Sequence, residues 1–168
     1  MHSPFQTHAS LGRLLGYLGL IPFVALAVLS LLLGPVHQAA MAFALLAYGA
    51  TIVSFLGAIH WGLAMPTTDG QQSMLVWGVV PSLLAWISLL LPVPWGLLLV
   101  AATLVACLLV DYKLYPHYGL RAWLGMRTIL TLVATLCSVV PALAGLGLLP
   151  MPMPIGSLTT LWGLSHGA

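Results

Sequence analysis

Charge is what this sequence has least of. Of its 168 residues two are acidic and four are Lys or Arg, so charged side chains make up 4% of the chain while hydrophobic ones make up 61%. A surface so poor in charge cannot keep a globule in solution, and a mean hydropathy of +1.12 places the chain in a bilayer. Four cations without a cluster argue against nucleic-acid binding, which needs a basic patch or stripe. Cysteine is scarce as well: Cys107 and Cys137 both fall inside apolar runs, where a thiol is read as a packing group and no disulfide framework is indicated.

Catalytic signatures are also missing. There is no HExxH, no CxxC, no Walker-type glycine loop, no GxSxG and no pair of carboxylates within one apolar run. The expectation is therefore a protein that is not an enzyme and that carries no metal or cofactor. The histidines, His2, His8, His37, His60, His117 and His166, are scattered, and only His60 belongs to an apolar run. A bis-histidine haem clamp needs two histidines at matching depth, and between the spans the loop residue His117 is the same-side counterpart of His60. Rings of acids and paired broken helices, the signs of a pore or transporter, are absent too.

What is present is length of apolar sequence. Five runs, Leu14 to Leu33, Ala39 to Met65, Met74 to Leu91, Trp95 to Tyr112 and Thr128 to Leu149, are each bounded by Pro, Gly or polar residues. Each is about long enough to cross the hydrocarbon layer as a helix. Because the runs are continuously apolar rather than alternating, the fold class is all-α, a polytopic bundle of five transmembrane helices, and not a β-barrel. The Pro92-Val-Pro94 turn makes the third and fourth spans an antiparallel hairpin, and Pro22, Pro81 and Pro141 are candidate kinks. The first run exceeds the usual h-region of a secretory signal and is read as a retained helix. Three segments result: 1–13 as a cytoplasmic N-terminal segment, 14–149 as the membrane domain, and 150–168 as an extracytoplasmic tail made irregular by its prolines. Arg13, Lys113, Arg121 and Arg127 all fall on one side of such a bundle. The positive-inside rule then puts the N-terminus in the cytoplasm and the C-terminus in the periplasm of a bacterial inner membrane, or the equivalent sides of a mitochondrial inner membrane.

The second run holds the most informative stretch, YGATIVSFLGAIHWGLAM from Tyr48 to Met65. On a helix its residues sort by size. Leu45, Tyr48, Ile52, Phe55, Leu56, Ile59 and Leu63 share a bulky side that can face lipid, opposite Ala47, Ala50, Ser54, Gly57 and Ala58. Ala50, Ser54, Ala58 and Gly62 form a series of small residues four apart, the spacing that lets membrane helices approach closely, so Ala50, Ser54, Gly57, Ala58 and Gly62 are the predicted packing residues. His60 lies at the border of the two sides, in register with Gly49, Val53 and Gly57, and about 9 Å along the axis from Pro66. Two readings stay open at this point. A His beside a Trp at headgroup depth can be an interfacial anchor, whereas an ionisable side chain facing a bundle is a functional candidate. Asp111 ends the fourth span on the same side, at a helix C-terminus where a carboxylate calls for a cationic partner. A polar layer of His60 and Asp111 with Arg121 or Arg127, closed by Trp61 and Trp77, is the candidate binding site.

Tyr48-Gly-Ala, Ser54-Phe-Leu-Gly57, His60-Trp-Gly62, Pro81-Ser-Leu-Leu-Ala-Trp86 and Asp111 followed by Leu120-Arg121 together resemble domain-of-unknown-function family 3429, over roughly Gly16 to Val139. The resemblance implies a small inner-membrane protein of bacteria or mitochondria and implies no activity. The leading expectation is an accessory or scaffold protein whose partners are the lipid bilayer and other membrane proteins. The alternative is a protein that binds or transports a lipid headgroup, a quinone or a proton through the layer around His60 and Asp111.

Overall fold

A computed structural model describes residues 4–65 and 72–149 of the chain. Among them the fold is helical throughout: α1 (Pro4–Leu18), α2 (Leu20–Leu32), α3 (Pro35–Ala64), α4 (Gln72–Leu90), α5 (Val93–Leu114) and α6 (Leu124–Gly145), with 3-10 turns at Tyr115–Tyr118 and Arg121–Trp123 between the last two. Five stretches are long and apolar enough to span a membrane: Ser10–Leu32, Val36–Ala64, Gln72–Leu90, Val93–Tyr118 and Arg121–Gly145. The protein is thus a multi-pass membrane protein, with the five spans expected from hydropathy. The tail 150–168 and the Pro66 to Gln71 connection lie outside the described residues.

Boundaries differ where local chemistry overrides hydropathy. Helix begins at Pro4, inside the segment expected to precede the membrane domain, because nothing between Phe5 and Arg13 breaks it and Pro4 sits where an amide hydrogen has no intrahelical partner anyway. The break at Gly19 has a cause three residues on. Pro22 has no N–H to offer the Leu18 carbonyl, so the helix is interrupted there and α1 and α2 form one bent span. The Tyr48 hydroxyl donates to the Gly19 carbonyl at 2.9 Å and ties the bend to α3. At the far end of the first hairpin Gly34 caps α3 in extended conformation. Pro92 does the same for α5 and leaves α4 and α5 as antiparallel neighbours.

The long helix α3 lies at the centre, packed against α4, α2, α5 and the edge of α6. Leu46, Gly49, Ala50, Val53, Leu56, Gly57, His60 and Ala64 form one buried stripe along it, at the three- and four-residue spacing of a helix face. This corrects the expectation about its sides. Leu45 and Leu56 are buried, Tyr48, Ile52 and Ile59 pack against the core, and of the bulky set Phe55 is the residue left 63% exposed. A helix in contact with several neighbours has no broad lipid face, so its large side chains fill the interior between α2, α5 and α6.

The small series does not stay on the contact face either. Ala50 and Gly57 are buried and Ser54 is half-buried, but Ala58 and Gly62 are exposed, with open space where a Gly62 side chain would be. Steps of four residues advance about 40° more than a full turn, so three steps carry the series roughly 120° around the helix and out of contact. The close approach occurs instead at Gly57 and Gly78. A Cβ on Gly57 would stand 2.5 Å from the Gly78 carbonyl oxygen, and one on Gly78 would run into the Trp61 indole.

Candidate functional site

Three helix ends bring the polar residues together. His60 lies one turn before the end of α3, Asp111 in the last turn of α5 and Arg127 in the first turn of α6, so antiparallel packing of α5 on α6 sets the acid opposite the guanidinium. All three are buried: His60 and Asp111 are 1% exposed and Arg127 8%. Arg127 Nε donates to Asp111 Oδ2 at 2.7 Å, and Nη2 lies 2.6 Å from the same oxygen. The other oxygen, Oδ1, is 3.3 Å from His60 Nε2, an ion-pair distance without hydrogen-bond alignment. On its other side the ring donates from Nδ1 to the Leu56 carbonyl at 3.1 Å. A carbonyl can only accept, so the Nδ1 hydrogen is fixed by the α3 backbone. One carboxylate is therefore flanked by the Arg127 guanidinium and the His60 ring from two other helices, in the low-dielectric interior where a lone charge would be costly.

The predicted layer forms with Arg127 and not Arg121, which is exposed in the 3-10 turn before α6 begins. Trp61 is also outside it. Its indole lies against Gly78, donates from Nε1 to the Leu75 carbonyl at 2.7 Å, and is 41% exposed; it locks α3 to α4 and does not close the cluster. Trp77 is half-buried against the core.

Two residues that sequence reasoning missed complete the site. Tyr115, one turn beyond Asp111, is 4% exposed with its hydroxyl next to the Arg127 guanidinium. Thr131, one turn beyond Arg127, is 3% exposed, and its Oγ1 has no hydrogen-bond partner in the protein. Its i,i+4 spacing from Arg127 was the available signal. A hydroxyl within an apolar helix normally returns its hydrogen to the carbonyl one turn back, as Ser138 does to Ala134 at 2.9 Å.

Tyr115, Arg127 and Thr131 line one end of a cavity of about 500 Å³. The rest of its wall is apolar: Gly16 and Phe23 from the first span, Ile52 and Ile59 from α3, and Met126, Leu130 and Ala134 from α6. Its rim includes Leu15 and Phe55, both exposed, so it opens on the surface that meets lipid. From Arg127 near the start of α6 to Ala134 the cavity runs about 10 Å along the helix, about two-thirds of the hydrocarbon depth of one leaflet. Its size is in the range of roughly 300 to 1,000 Å³ typical of small-molecule sites, and its character, apolar with a few convergent polar groups, is typical as well. Among the described residues no group of three or more His, Cys, Asp or Glu side chains converges as metal ligands would.

Comparison with known proteins agrees with the architecture and adds no activity. No solved structure matches the chain. Transmembrane protein 69 of Xenopus tropicalis is 40% identical over 126 residues, covering 71% of this chain and 49% of that protein, so the chain spans about half the length of this relative. The model of a family described as "Protein of unknown function (DUF3429)" matches residues 9–144, from the first span almost to the end of the fifth, and the chain belongs to that family.

Proposed function

We propose that the protein binds an amphiphilic small molecule from the bilayer, with the polar end of the ligand at Tyr115, Arg127 and Thr131 and its apolar part in the cavity between the first span, α3 and α6. It acts as a binding protein and not as an enzyme. The observation that carries this reading is Thr131, a residue of the cavity wall beside Arg127 whose buried hydroxyl has no partner in the protein. An unsatisfied buried hydroxyl costs about 1 to 3 kcal/mol, a cost that a bound acceptor would remove. The polar end lies on the side of the bundle that carries Arg13, Lys113, Arg121 and Arg127, which the positive-inside rule assigns to the cytoplasm or matrix.

The test is retention of co-extracted ligand. Protein released from its own membrane in mild detergent should carry a small molecule in native mass spectra, and Gly16→Leu, which crowds Met126 and Leu130 on the cavity wall, should lose it while keeping its unfolding midpoint. Equal occupancy in both proteins would overturn the proposal. A second reading, an accessory protein that docks on other membrane proteins, draws on the exposed Ala58 and Gly62, a surface small enough for the close approach of a partner helix. Loss of co-purifying chains on Gly62→Leu, with the small molecule retained, would favour it.

A further inference from the structure

The charge of the buried cluster names the ligand further. Leu56 fixes a hydrogen on His60 Nδ1, and Nε2 faces a carboxylate oxygen at 3.3 Å. A neutral ring in this geometry would turn a lone pair toward that oxygen, whereas a second proton on Nε2 turns repulsion into attraction. With His60 as an imidazolium the cluster holds two cations against one anion. Asp111 is the sole acid among the described residues; the chain's other one, Asp69, lies in the 66–71 connection. A buried positive surplus needs a counter-charge or access to solvent. Arg127, Tyr115 and Thr131, which line this end of the cavity, carry the donors an anion needs, a guanidinium and two hydroxyls.

We infer that the ligand is an anionic lipid, its phosphate or carboxylate seated at Arg127, Tyr115 and Thr131 and one hydrocarbon chain lying in the apolar cavity. This rests on the amphiphile-binding reading and adds the sign of the headgroup. The orientation is that of a lipid in its own leaflet, polar group near the membrane face where α5 ends and α6 begins, chain toward the middle at Ala134. His60 touches no ligand atom; it positions the carboxylate of Asp111 and supplies the charge that Asp111 would otherwise cancel.

The experiment compares charged and neutral versions of the same chains. Protein in a nonionic detergent is titrated with oleate, methyl oleate, dioleoyl phosphatidic acid, dioleoylglycerol or inorganic phosphate, and the thermal midpoint is followed. The expected result is a concentration-dependent rise with phosphatidic acid or oleate and none with the neutral lipids or phosphate. His60→Gln should weaken the response to the anionic lipid about tenfold, as loss of one charge-assisted interaction would. Gly16→Leu should abolish it. In wild-type protein, ring-nitrogen NMR signals absent from His60→Gln should be those of an imidazolium. An equal rise with neutral and anionic lipids would overturn the charge inference and leave the amphiphile reading standing. No rise with any lipid would overturn both, and a rise with phosphate alone would replace the lipid by a free anion. A stronger anion preference in Asp69→Asn would show that Asp69 already neutralises the cluster and would overturn the inference as well.

Discussion

Asp111 meets two partners with its two oxygens, the Arg127 guanidinium through Oδ2 and the His60 ring through Oδ1, and its removal would leave the guanidinium without a counter-charge. Breaking a buried pair from one side typically costs about 3 to 5 kcal/mol. Asp111→Ala is therefore expected to lower detergent stability by about that much, read as the shift of a reversible unfolding transition. In a double-mutant cycle His60→Ala and Asp111→Ala should be non-additive, because each single change already forfeits their shared contact; strict additivity would show that the 3.3 Å approach has no energetic content. Arg127→Lys should destabilise, since a lysine cannot reproduce the approach of both Nε and Nη2, while Arg121→Ala should leave the midpoint unchanged. His60, Asp111 and Arg127 were legible in the sequence because depth alone groups them: each is within about a turn of a helix end on the same side. Tyr115 and Thr131 were not, since Tyr115 falls beyond the fourth run and a hydroxyl in an apolar run, as at Thr131, carries no mark of whether it is satisfied, and Trp61 was misread because its partner, Gly78, sits on another helix.

At the scale of elements, hydropathy determines how many helices cross and in what order, while the contact face depends on the angle at which neighbours meet. The buried stripe of α3 follows 3.6 residues per turn, so a series spaced strictly by four leaves it within three steps, which is why Gly57 packs and Gly62 does not. Gly78→Ala is expected to destabilise by about 1 to 3 kcal/mol, the usual cost of forcing a methyl into a filled contact, because the new Cβ would meet the Trp61 indole and the Gly57 carbonyl oxygen. Gly62→Ala should be neutral or slightly stabilising, as helix propensity alone would have it. Equal effects of the two substitutions would remove the Gly57 and Gly78 crossing as the point of closest approach between α3 and α4. The first span shows the same division of labour: its apolar length is plain in the sequence, and its bend at Gly19 follows from Pro22, but its contact with α6 through Gly12 and Gly16 depends on Trp123 and Met126 far along the chain.

For the whole molecule, an odd number of spans puts residues 4 and 149 on opposite faces and collects all four Lys and Arg on one. Reporter fusions at the C-terminus should give periplasmic phosphatase activity and no cytoplasmic fluorescence in a bacterial inner membrane; the reverse would invert the orientation. On the positive-inside assignment, the same face is the one where anionic headgroups and a basic protein surface attract each other. In the proposed reading the charged cluster and the cavity form one site, and lipid contact there can be located directly. A photoreactive, tagged fatty acid incorporated into the membrane, crosslinked by light and mapped by peptide mass spectrometry, should label the cavity wall, at residues 12–23, 52–59 and 126–134, with labelling lost in Gly16→Leu. Crosslinks spread evenly over the lipid-exposed residues of α4 and α5 as well, and unaffected by Gly16→Leu, would contradict a specific lipid site.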